Sequence, residues 1–97
     1  MRRTLIRYRV KPGRAAENRA LIENVFAALH RAQPANFQYE SFQLPDGVSF
    51  VHLVSSADES PLRSMPAFAA FIAAIAERCD EAPASFVLEE IGAYRSR

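Results

Sequence analysis

The chain switches between two hydrophobic periods, and the switches mark its elements. Residues 4–10 (TLIRYRV) repeat every second position, with Ile6, Tyr8 and Val10 on one side and Leu5, Arg7 and Arg9 on the other. That is the pattern of a strand with one face on a core. Pro12-Gly13 ends it, because proline lacks the ladder donor and glycine opens the turn. Over Ala15–Ala32 the period becomes helical. Leu21, Ile22, Val25, Phe26, Leu29 and Ala32 recur at three- and four-residue steps, with Glu17, Arg19, Glu23 and Arg31 on the far side. Pro34 stops this helix by disfavouring a helical residue ahead of it.

Residues 37–55 (FQYESFQLPDGVSFVHLVS) read as two strands joined by a turn at Leu44-Pro45-Asp46-Gly47-Val48. Asp-Gly between apolar alternations signals a hairpin, since glycine accepts positive φ and aspartate bonds its own backbone. Pairing Leu44 with Val48 across a three-residue loop sets Phe42 opposite Phe50, Glu40 opposite His52 and Tyr39 opposite Leu53. A one-residue slip would exchange the faces and carry His52 into the core. A polar connection follows over residues 56–65, with a helical turn around Pro61-Leu62. Pro66 suits the first position of a second helix, whose buried stripe is Phe68, Phe71, Ile72, Ile75 and Cys79. That helix is expected to fray at Asp80-Glu81-Ala82-Pro83. A last strand over residues 85–94 then sets Val87, Glu89 and Ile91 against Phe86, Leu88 and Glu90.

The order β-α-β-β-α-β predicts an α+β, ferredoxin-like domain spanning residues 1–97: a four-stranded antiparallel sheet with two helices on one face. On the register above, Ile6, Tyr8, Val10, Phe37, Tyr39, Val51 and Leu53 face the helices. The other face carries Arg7, Arg9, Glu40, Phe42, Phe50, His52, Val54 and Leu88. An exposed sheet face is normally polar. Leaving each phenylalanine uncovered forgoes roughly 1.5–3 kcal/mol of burial, so a twofold homodimer through Arg7, Arg9, Phe42, Phe50 and Val54 is expected.

Composition narrows the partners. A net charge of +1, with no basic stripe interleaved with aromatics, argues against nucleic acid. The single cysteine, Cys79, excludes an internal disulfide and a cysteine-based metal site. No apolar run reaches the roughly 18 residues of a membrane span, and the charged start predicts a cytoplasmic protein without a secretory leader.

With these elements in place, the chain resembles the antibiotic biosynthesis monooxygenase-like proteins of the dimeric α/β-barrel superfamily. The resemblance is carried by Val10-Lys11-Pro12-Gly13-Arg14, Asn36-Phe37-Gln38-Tyr39-Glu40, Phe50-Val51-His52-Leu53 and Met65-Pro66-Ala67-Phe68. It implies two protomers packing their sheets into a barrel and a small-molecule pocket between sheet and helices. It also implies oxygenation of an aromatic substrate without metal or flavin. The chain departs from the family at Val54, Ser56 and Ala67, where a Glu, a Trp or Tyr, and a His are common, and it has no Trp. The haem-degrading branch relies on a Trp and a placed His, so haem is not implied, and no cofactor is expected.

Among individual residues, His52 opposite Glu40 could form an oriented general base or a cross-strand pair that helps set the dimer interface. Tyr8 and Tyr39 with Phe68 and Phe71 could line a pocket for a flat apolar ligand, or simply form core. Arg78 complements a helix C-terminus, Cys79 behaves as a small buried hydrophobe, and His30 is a surface residue. Two functions stay open. One is a monooxygenase-like protein that binds, and oxidises, a small aromatic or quinone-type molecule. The other is a non-catalytic homodimeric ligand-binding or scaffolding module.

Overall fold

A computed structural model describes residues 2–57 and 59–96. Strand β1 (Arg2–Val10) leads into α1 (Ala15–Ala32), then β2 (Phe37–Gln43) and β3 (Ser49–Ser56). A 3₁₀ turn (Pro61–Ser64) precedes α2 (Pro66–Ile72), α3 (Ile75–Arg78) and β4 (Cys79–Leu88). The strands form one antiparallel sheet of order β2-β3-β1-β4, the ferredoxin-like arrangement. The helices cover one face, over a core of Tyr8, Val10, Ile22, Val25, Phe50, Leu62, Phe71 and Cys79.

The first helix occupies the residues its periodicity predicts, and Gln33 ends it in the left-handed region (φ 48°) with its N–H on the Leu29 carbonyl. The 3₁₀ turn falls at the expected Pro61-Leu62 and is capped by Ser60, whose hydroxyl accepts from Leu62 N–H.

The hairpin differs from the expectation by one residue. Gly47 N–H closes a turn onto the Leu44 carbonyl, and Gly47 takes φ 79°. The chain then needs one more residue before pairing resumes, so Leu44 N–H bonds to the Ser49 carbonyl and not to Val48. The Asp46 carboxylate accepts from the N–H groups of Val48 and Ser49 and from the Ser49 hydroxyl, which holds the longer loop. These bonds, the Ser49 hydroxyl first, keep its carboxyl below the usual range. Across the sheet, Val10 N–H binds the freed Val48 carbonyl at 2.9 Å.

The slip turns β3 over. Phe42 pairs with Val51, Ser41 with His52, Glu40 with Leu53 and Tyr39 with Val54. Phe50, His52 and Val54 therefore face the helices, and Val51 and Leu53 face outward, the reverse of the predicted assignment. Phe50 and Val54 accordingly do not lie on the uncovered face.

The second helix is also shorter than predicted. It breaks at Ala73-Ala74, where Ala74 adopts φ 60°, and only one turn, α3, follows. Cys79 begins the last strand instead of ending a helix, so that strand spans Cys79–Leu88 and not residues 85–94. Residues 80–83, expected to fray, belong to this strand, with Glu81 paired to Arg9 of β1. Pro83 is tolerated because β4 is an edge strand and its ladder is irregular between Arg7 and Val10.

Candidate functional site

The slip places a histidine in the middle of the buried side of the sheet. His52 is only 1% exposed. Its Nε2 lies 2.8 Å from the Tyr8 hydroxyl, and its Nδ1 lies 2.6 Å from Ser41 Oγ and 3.1 Å from the Tyr39 hydroxyl. The ring is flanked by both phenols in near-parallel planes, with centroids 5.4 Å from Tyr8 and 5.6 Å from Tyr39, and meets the edge of Phe71 at 5.6 Å. This aromatic row comes from three adjacent strands, β2, β3 and β1, whose same-face residues stand side by side.

The row continues into the helices. Tyr8 accepts from the Asn18 side-chain amide at 2.8 Å. Asn18 in turn accepts from Arg78 Nε at 3.3 Å. Arg78 is 2% exposed, and its guanidinium turns back onto the C-terminus of α2, donating to the carbonyls of Phe71 (2.6 Å) and Ala73 (3.2 Å). It also lies 5.7 Å from the centre of the Phe71 ring. The dipole that Arg78 complements is thus that of the preceding helix, and its turn back accompanies the break at Ala74. Among the described residues, no buried side-chain nitrogen or oxygen lacks a hydrogen-bond partner.

Burial sets the protonation states. Desolvation pushes the His52 pKa down to about 4, so the ring is neutral near pH 7. The Tyr8 hydroxyl is pushed well above its ordinary value by burial, with Asn18 opposing the shift. Tyr39 is pushed up to about 12, again by burial and against a hydrogen bond from Ser41. Both phenols stay protonated.

In front of the row lies a cavity of about 250 Å³ between sheet and helices, lined by Tyr8, Tyr39, His52, Phe68, Phe71 and Ile72 among others. Its surface is apolar, and the polar atoms of the three ring residues bond to one another at its back. Tyr8, Tyr39, Phe68 and Phe71, singled out in the sequence, are brought together here. His52 joins them, although the sequence register placed it on the opposite face. Glu40 does not: it is exposed on the outer face opposite Leu53, so the predicted His52–Glu40 pair does not form. Arg7, Arg9 and Phe42 lie on that outer face, where Arg9 pairs with Glu81 at 3.3 Å. Arg3, also on that face, pairs with Glu90 at 2.8 Å.

Asn18, Ser41 and the burial of Arg78 escaped the sequence reading. Signals existed for the first two. Asn18 sits four residues before Ile22 on the buried stripe of α1, and Ser41 continues the alternation of Phe37 and Tyr39. A polar residue on an apolar stripe wants a buried partner. Arg78 had no such signal, because its burial depends on a helix break that periodicity does not show. Among the described residues no cluster of His, Cys, Asp or Glu could hold a metal, and no helix is long and apolar enough to cross a membrane.

A ferredoxin-like sheet with a cavity between sheet and helices of one chain defines the class: an α+β protein with a ring-lined pocket. No family model and no curated protein matches the sequence. Solved structures do match the fold. An antibiotic biosynthesis monooxygenase superposes with a TM-score of 0.76 at 14% identity, covering 95% of this chain and 100% of its own. The protein Rv0793 from Mycobacterium tuberculosis gives 0.75 at 17%, covering 97% and 98%. SnoaB, a cofactor-independent oxygenase from Streptomyces nogalater, gives 0.69 at 16%, covering 98% and 97%. The chain therefore has the fold of the antibiotic biosynthesis monooxygenase structures, as its sequence motifs imply.

Proposed function

We propose that this chain is an antibiotic biosynthesis monooxygenase-like protein that binds a small, flat, aromatic or quinone-type molecule in the cavity before His52. The cavity itself carries the reading. It measures about 250 Å³ and is walled by the rings of Tyr8, Tyr39, His52, Phe68 and Phe71. Typical sites for drug-sized ligands run about 300–1,000 Å³, so this one suits one or two fused rings. The fold shared with a cofactor-independent oxygenase supports oxygenation as the reaction class. Native mass spectrometry of the purified protein, with thermal shifts across mono- and bicyclic quinones and phenols, tests the binding. An empty protein that responds to none of them would sink it.

One observation favours a second reading, a ligand-binding module without catalysis. Both nitrogens of His52 are hydrogen-bonded and its pKa is pushed to about 4, which makes it a weak, occupied base. Oxygen uptake with a bound hydroquinone separates the two. Turnover that disappears in His52→Ala with binding retained supports the enzyme, and binding without any uptake supports the module.

We also propose that two copies pair through the uncovered sheet face. Phe42 (49% exposed) and Phe86 (54%) stand there beside the outward-facing Leu5, Val51, Leu53 and Leu88, an apolar group that water covers poorly. Sedimentation tests this: a wild-type protein of monomer mass sinks it, whereas a dimer that dissociates on Phe42→Asp supports it. A cytoplasmic location suits the free thiol of Cys79, which stays reduced there.

A further inference from the structure

The buried polar network has a direction, and the direction is imposed from its far end. A guanidinium has only N–H groups to offer and accepts nothing. Because Arg78 Nε donates to Asn18, the Asn18 oxygen must face Arg78 and its amide nitrogen must face Tyr8. The Tyr8 oxygen accepts that bond, so the hydrogen of its own hydroxyl goes to its other partner, His52 Nε2, at 2.8 Å. A neutral imidazole that accepts at Nε2 carries its hydrogen on Nδ1. That hydrogen meets Ser41 Oγ and the Tyr39 hydroxyl, at 2.6 and 3.1 Å from Nδ1.

The end of the chain then has a surplus. Neither hydroxyl can donate back to a protonated Nδ1. Once Nδ1–H is given to one oxygen and one hydroxyl is given to the other, a hydroxyl hydrogen is left over. The opposite tautomer would absorb it on the Nδ1 lone pair. Tyr39 and His52 line the cavity with their rings, and its free surface is apolar, so this surplus lies behind the cavity wall, where Tyr39 and Ser41 are half-buried.

We infer that Arg78 is a positioning residue that sets the hydrogen-bond direction of the network behind the cavity. Through Asn18 and Tyr8 it holds His52 in the Nδ1–H tautomer, leaving one hydroxyl hydrogen of the half-buried Tyr39–Ser41 pair outside the network.

Nitrogen-15 NMR of the imidazole in the ligand-free protein reads the tautomer directly. Wild type is expected to show a protonated Nδ1 and a bare Nε2. Asn18→Asp is expected to invert this. The introduced carboxylate has no N–H to give, so Tyr8 donates to it and accepts from His52 Nε2–H. If that variant does not fold, Asn18→Leu, which cuts the link without adding charge, is expected to show both tautomers. A wild-type Nε2–H signal, or the same tautomer in wild type and in the folded variant, would overturn the inference.

Discussion

The two faces of the sheet are built from the same strands in opposite ways. On the inner face, polar groups bond to one another: the half-buried Ser41 and Tyr39 meet the buried His52, which is linked through Tyr8 and Asn18 to Arg78 at the end of α3. On the outer face, charged and apolar groups are mixed and open, and Phe42, Phe86 and Leu88 stand exposed. The contrast reflects what each face can exchange with. Water completes hydrogen bonds on the outer face, so a charge there costs little and an aromatic ring is the anomaly. His52, Tyr8, Asn18 and Arg78 are closed off from water, so each needs a partner and one missing link disturbs the next. Specificity on the inner face lies in hydrogen-bond order, and on the outer face in what covers the rings.

The comparison can be broken most sharply at Arg78. Arg78→Met leaves the Asn18 oxygen and the Phe71 and Ala73 carbonyls without their donor. A loss of about 3 kcal/mol or more in urea unfolding is expected, since each stranded buried acceptor costs about 1–3 kcal/mol. A loss under 1 kcal/mol would mean the inner face is not the tightly coupled network described.

Acid sharpens the same contrast. His52 has a pKa of about 4 in the folded chain against 6.5 as its ordinary value. The unfolded chain therefore binds more protons between these pH values, and stability falls as pH drops from about 6.5 to about 4. The full effect is on the order of 3 kcal/mol from the size of the shift. His52→Gln should flatten this part of the stability profile, measured by denaturant titration at a series of pH values. An unchanged acid slope in that variant would assign the loss to another group.

A smaller effect is expected at the hairpin, which decides which face each β3 residue joins. Asp46→Ala removes the acceptor for Val48, Ser49 and the Ser49 hydroxyl. About 1 kcal/mol of stability is at stake, the scale of a lost capping residue, and hydrogen exchange should quicken at Val48 and Ser49 first. The smallest effect on the fold is predicted for Phe42→Asp. As an exposed substitution it should change the unfolding free energy of the isolated chain by no more than about 0.5 kcal/mol. A large loss in the monomer would mean that Phe42 supports the fold and not an interface.

Much of the fold was legible because it follows from local chemistry. The alternation of β1, the stripe of α1 and the prolines that bound them are properties of neighbouring residues, and the element order leaves few right-handed topologies. The site was legible only in part. Tyr8, Tyr39, Phe68 and Phe71 belong to faces that periodicity assigns correctly, and they meet around the cavity. His52 was noticed and put on the wrong side, because alternation says which residues share a face and not which face it is. That choice came from one loop residue, Val48, whose carbonyl is taken by Val10 of β1. Asn18 and Arg78 are 60 positions apart in sequence and met only through the helix break at Ala74.

The sequence by itself thus determined the elements, their order, the ferredoxin-like fold and the residue types available for a ring-lined pocket, because these depend on interactions a few residues long. The tertiary structure decided the register of the hairpin, the burial of His52 and the line of donors running from Arg78 to Tyr39. Each of these depends on which of two nearly equivalent local arrangements a distant partner completes: Val10 for the loop, the α2 carbonyls for Arg78, and Asn18 for the hydroxyl of Tyr8.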